Sequence, residues 1–148
     1  LMTGNSKPSP ADFETLEFTI ASIPEKTIEV DRRIEHLTAC IGYDDVVRGD
    51  IMIAVNEVVK NAILHGNKCD QSKMVTISCS CNPSIFRIHI RDNGTGFNPE
   101  SVADPRNPDN LLKETGRGLL MIKFLMDEVD IVITDEGTRV TLVKYSNV

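Results

Sequence analysis

Hydrophobic and polar positions divide the chain into a short series of elements. From Thr15 to Ile23 (TLEFTIASI) apolar and polar residues alternate as in a strand. Pro24 and Glu25 open a helical run to about Ile41, with Ile28, Ile34, Leu37 and Ile41 at roughly helical spacing, and Gly42 stops it. Asp44 and Asp45 suit the N-cap of a longer helix expected to end near His65, with Gly66 and Asn67 as its stop. Val47, Ile51, Val55, Val58 and Ala62 make its apolar stripe. Met74 to Cys81 then places Val75, Ile77, Cys79 and Cys81 on one face of a strand. Ile85 to Arg91 sets Phe86, Ile88 and Ile90 inward against Arg87, His89 and Arg91 outside. A long polar segment, Asp92 to Thr115, carries Pro99, Pro105 and Pro108. Gly116 to Asp127 reads as a third helix, and Val129–Thr134 with Thr138–Tyr145 as a closing hairpin around Glu136-Gly137.

This order predicts an α+β fold: a two-layer α/β sandwich whose mixed, mostly antiparallel sheet is covered on one face by helices. The outward Thr, Ser, Arg and His residues leave the other face partly solvated, His89 among them. With 148 residues, one domain is expected over residues 13–148, preceded by residues 1–12 as a disordered polar tail or a cloning remnant.

Composition narrows the functional classes. A net charge of −6 argues against direct nucleic-acid binding, which selects basic faces. An acidic domain that takes an acidic nucleotide must use backbone N–H groups, a metal ion and a few placed cations. Cys40, Cys69, Cys79 and Cys81 show neither zinc-ligand spacing nor a secretory context and are read as reduced thiols. No apolar run approaches the ~20 residues that span a bilayer, and Leu1 to Pro10 lacks a signal-peptide core, so no membrane association and a cytoplasmic location are expected.

Three constellations carry candidate chemistry. On the second helix Glu57, Asn61 and His65 follow at intervals of four and stack beside the apolar stripe. An amide oxygen there can ligate Mg²⁺ and a carboxylate can orient or deprotonate an attacking hydroxyl; a solvated helix edge has the same spacing. In Arg91-Asp92-Asn93-Gly94-Thr95-Gly96-Phe97, Asp92 falls in phase with Phe86, Ile88 and Ile90 and points inward. A carboxylate there needs a donor, such as an adenine amine, and the glycines admit a flat ring. An Asn-Gly hairpin turn is the competing reading, although no strand follows. Last, Thr115-Gly116-Arg117-Gly118-Leu119-Leu120 opens an apolar helix, whose N-terminal N–H groups suit phosphate, or is simply a flexible helix start. The segment before it has the length of a lid. The P-loop, the dinucleotide G-x-G-x-x-G and the protein-kinase signatures are missing.

In this order the constellations resemble the N, G1 and G2 boxes of the gyrase, histidine-kinase and MutL (GHKL) ATPases. NEVVKNAILHGN and GRGLLMIKFLMDEVD are most similar to the anti-sigma-factor serine kinases. The resemblance implies ATP and Mg²⁺ as cofactors, with Asn61 the metal ligand and Glu57 the general base toward a protein serine. It implies Asp92 as acceptor of the adenine amine, Gly94, Gly96 and Phe97 about the base, and Gly116, Arg117, Gly118 and Leu119 at the phosphates and lid. Some such kinases carry an arginine near the γ-phosphate where Glu114 stands here, with Lys113 and Arg117 nearby. The partners implied are an anti-anti-sigma protein as serine substrate and a sigma factor, with a homodimer expected. The alternatives are a non-catalytic ATP-binding partner-switching module and the catalytic domain of a histidine kinase. The latter needs an upstream phosphoacceptor histidine, and His36 lacks the Pro or Thr context of one.

Overall fold

The computed structural model describes residues 13–94 and 118–146. Its elements are β1 (Glu14–Ala21), a 3-10 turn (Pro24–Lys26), α1 (Thr27–Ile41), α2 (Asp45–Asn61), a π turn (Ala62–Gly66), β2 (Met74–Cys81), β3 (Ile85–Arg91), α3 (Gly118–Leu125), β4 (Glu128–Thr134) and β5 (Gly137–Tyr145). The strands form one sheet in the order β1-β2-β3-β5-β4. Every pairing in it is antiparallel, so no mixed sheet forms among the described residues.

Alternation places the strands as the sequence predicts. Val75, Ile77, Cys79, Cys81, Phe86, Ile88 and Ile90 are buried beneath the helices, and the four cysteines are free thiols. Buried side chains of this size each contribute about 1.5–3 kcal/mol relative to exposure. On the opposite face Thr76, Ser78 and Ser80 pair with Arg91, His89 and Arg87. His89 is half-buried rather than solvated: its Nδ1 lies 2.7 Å from Thr141 Oγ1 on β5. Burial, then Arg139 and Arg87, hold its pKa below the usual value, so it is neutral at neutral pH.

α1 ends at Gly42, whose φ of 94° is a left-handed C-cap that suits glycine. Asp44 caps α2 by accepting the Val47 N–H at 2.8 Å. The buried stripe of α2 is wider than the periodicity implied: Ala54 and Val59 join Ile51, Val55 and Val58, while Val47 is only half-buried. α2 packs between α1 and α3. Lys144 of β5 fixes α3, its Nζ donating to Leu125 O at 2.6 Å and pairing with Asp50 of α2 at 3.2 Å.

The second helix stops being α-helical before the predicted His65. After Asn61 the hydrogen bonds lengthen to a π turn, closed by Asn67 N–H donating to Ala62 O at 2.8 Å. Lys68 and Cys69, both left-handed (φ 52° and 57°), then turn the chain toward β2. Far from this junction, Tyr43 is 4% exposed and its hydroxyl donates toward Asn82 O (2.5 Å) and Ile85 O (3.0 Å), tying the α1–α2 corner to the β2–β3 turn. Tyr43→Phe removes that donor from Asn82 O, while Ile85 O keeps the Asn82 N–H at 2.9 Å. It is expected to cost about 1–2 kcal/mol, read as a lower urea midpoint at unchanged m-value.

Candidate nucleotide site

Between α2, the start of α3 and the β3–β5–β4 side of the sheet lies a pocket of about 670 Å³, its open mouth included. Its walls are apolar: Val58 and Ala62 from α2 and the π turn, Leu119 and Ile122 from α3, Ile90, Ile131 and Val140 from the sheet. Asn61, His65, Asp92 and Thr138 add the polar groups, and Asp92 is the one acid among the described lining residues. Apolar walls with few converging polar groups are the ordinary make-up of a small-molecule site.

Asp92 sits one residue past the end of β3, inward as the alternation requires, and is 5% exposed. Its Oδ1 accepts the Gly94 N–H at 3.0 Å and the Thr138 N–H at 3.1 Å, and its own N–H donates to Thr138 O at 3.0 Å. Among the described residues no hydrogen bond reaches Oδ2, which is turned toward Gly66. Desolvation raises the pKa of this carboxyl, opposed by the two backbone hydrogen bonds and the charge of Lys73.

Three glycines make room for that carboxylate. A Cβ on Gly66 would overlap Asp92 Oδ2, one on Gly137 would overlap the Asp92 carbonyl, and one on Gly94 would overlap the carbonyl of Gly66. At Gly66 and Gly94 clearance rather than φ demands glycine, whereas Gly137 also has a φ of 136°. In the sequence alone Gly66 marks only a helix stop and Gly137 only a turn. Nothing local in the sequence marks Thr138, whose N–H holds Asp92, because it lies 46 residues away along the chain.

The predicted residues do not all meet at one point. Asn61 and His65 line the pocket, while Glu57 is absent from its wall and faces the start of α3. A Cβ on Gly118 would overlap Glu57 Oε1, so this glycine lets α3 begin against the carboxylate. The Glu57 side chain is 16% exposed and its Oε2 lies 3.6 Å from Lys60 Nζ. Leu119 contributes to the wall. Gly96, Phe97, Gly116 and Arg117 lie outside the described residues, as does the segment read as a lid from residue 95 onward.

The residues present fit a purine nucleotide and its cation. The glycines clear a carboxylate-floored slot, the walls are apolar, and an amide oxygen at Asn61 suits a hard cation beside it. Because burial raises the Asp92 pKa, its favourable contribution to stability is present below the usual value of 3.8 and is lost as pH rises through the raised folded-state value. Asp92→Asn is therefore expected to raise the thermal midpoint of the nucleotide-free protein at neutral pH and to change it little near pH 3. Scanning calorimetry across that range reads the difference.

Known proteins share this architecture and sequence. Residues 20–144 match the family described as the histidine kinase-like ATPase domain. The anti-sigma F factor of Clostridium perfringens is 32% identical over 142 residues, covering 93% of this chain and 92% of the relative. The serine-protein kinase RsbW of Listeria innocua is 30% identical over 104 residues, covering 66% of each. The crystal structure of the RsbU and RsbW domains of Rv1364c from Mycobacterium tuberculosis superposes with a TM-score of 0.68 at 22% identity, over 91% of this chain and 33% of that one, which shows a common fold. Matched by its family over most of its length and by a relative of nearly equal extent, the chain belongs to the histidine kinase-like ATPase domain family.

Proposed function

We propose that this protein is an ATP-dependent serine protein kinase of the anti-sigma type, phosphorylating an anti-anti-sigma partner and holding a sigma factor. The likeness to an anti-sigma F factor and to RsbW serine kinases supports the partner class. The observation that carries the nucleotide reading is the buried Asp92, cleared by Gly66, Gly94 and Gly137 on the floor of an apolar pocket.

Asp92 Oδ2 accepts the exocyclic amine of adenine, while Ile90, Ile131 and Val140 flank the ring plane with apolar surface. Asn61 would hold Mg²⁺ through its amide oxygen, and the cation would supply charge neutralisation for the phosphates. At the α3 end the Gly118 position leaves space for Glu57, and the first turn of α3 offers backbone N–H groups to phosphate oxygens. Gly94 and Leu119 border the base and the phosphate side, with Gly96, Phe97, Gly116 and Arg117 as further contacts expected from the family likeness. Glu57 orients the partner's serine hydroxyl and takes its proton as the oxygen attacks the γ-phosphorus. The bond from that phosphorus to the β–γ bridging oxygen breaks and ADP departs. Positioning and electrostatics supply most of the rate in such a transfer. A cytoplasmic homodimer is the arrangement that the family likeness suggests.

Incubation with γ-labelled ATP, Mg²⁺ and a small anti-anti-sigma protein tests the reading: label is expected on a partner serine. Glu57→Ala is expected to abolish transfer while leaving the ATP dissociation constant within about threefold. Asp92→Asn is expected to weaken ATP binding by roughly 10–100-fold, the worth of a hydrogen bond to a charged group. Bound ATP with an unlabelled partner would instead indicate a partner-switching module without catalysis, and equal ATP binding by wild type and Asp92→Asn would remove the adenine assignment.

A further inference from the structure

Asn67 is not part of the pocket lining, yet it touches what holds the pocket together. It is 1% exposed. Its Nδ2 donates to Ser22 Oγ at 2.8 Å, just past β1, and to Met74 O at 3.1 Å, at the start of β2. Its Oδ1 accepts the Asn93 N–H at 2.9 Å, at the exit of β3. Ser22 Oγ donates onward to Lys73 O at 2.6 Å. The backbone N–H of Asn67 closes the π turn through Ala62 O, which sets Gly66 against Asp92.

This residue therefore grips both sides of one close approach. Through its main chain it places Gly66, the glycine facing Asp92 Oδ2. Through Oδ1 it holds the peptide N–H immediately following Asp92. A neutral carboxamide alone among short side chains presents two donors and an acceptor at once. Aspartate lacks the donors, and serine or alanine leaves buried partners unmet.

We infer that Asn67 is a positioning residue for base selection: by joining the π turn to the Asp92–Asn93 peptide, it sets the carboxylate where it distinguishes a purine bearing a 6-amine from one lacking it. The inference rests on the adenine reading proposed above. It assigns Asn67 no contact with nucleotide and no part in phosphoryl transfer.

Calorimetry with Mg²⁺ and two probes, ATP and purine riboside 5′-triphosphate, which lacks the amine, separates positioning from mere structural support. Wild type is expected to prefer ATP by about tenfold or more. In Asn67→Ala the preference is expected to fall below about threefold, with affinity for the amine-free triphosphate nearly unchanged. Asp92→Asn, as a control, is expected to lose the preference too. Equal weakening of both triphosphates, with the ratio kept, would show a structural role only and overturn the inference, as would an Asn67→Ala protein indistinguishable from wild type. Should that variant fail to fold, Ser22→Ala removes one partner of Nδ2 and leaves the amide in place. It is expected to narrow the preference partially, and an unaltered ratio there also overturns the inference. Absence of any preference in wild type would instead remove the adenine reading itself, a failure distinguishable from that of Asn67.

Discussion

A carboxylate leaves water reluctantly, and the architecture around Asp92 follows from meeting that cost at one oxygen while no hydrogen bond among the described residues reaches the other. Two backbone N–H groups converge on Oδ1 from separate parts of the chain, Gly94 two residues on and Thr138 from the distant strand β5. The desolvation that raises its pKa is the same condition that makes a hydrogen bond at Oδ2 strong, because a low local dielectric magnifies it. Stability and recognition thus pull in opposite directions at this residue. Active and binding sites often hold groups that the fold alone would not favour.

The sheet and α2 divide the labour. Antiparallel pairing of β3 with β5 delivers Thr138 to Asp92, so the fold's central ladder is also the site's floor. α2 delivers Asn61 to the pocket and, one turn earlier, Glu57 to the first residues of α3. Lys144 clamps the far end of α3 against α2 through Leu125 O and Asp50. The proposed metal ligand and the proposed general base therefore sit on one helix, separated by a single turn.

Much of this was readable from residue order because it is local. Strands β2 and β3 have the bounds that alternation predicts, since a period of two with one face buried fixes both register and ends. The same phase argument turns Asp92 inward. What eluded the pattern was long-range or conformational. Gly66 and Gly137 look like punctuation until the sheet brings both against one carboxylate. Asn67 resembles a helix terminator because nothing local shows that it spans Ser22, Met74 and Asn93. Alternation alone puts His89 in solvent, but a cross-strand partner, Thr141, shelters it. Periodicity alone implies too narrow a stripe for α2, because a helix with a neighbour on each side buries more than a single face.

The widened turn from Ala62 to Gly66 bears on how this sequence can drift. A π turn holds one residue more than an α turn over the same stretch, and such a residue is in effect a fixed insertion. Its length is locked upstream by Asn61, which belongs to the pocket, and downstream by Asn67, which belongs to three strand ends. Leu64, exposed between them, is free to vary in kind. The count of residues is not: a lineage that lost one here would regain a regular helix and swing Gly66 out from under the acid it accommodates.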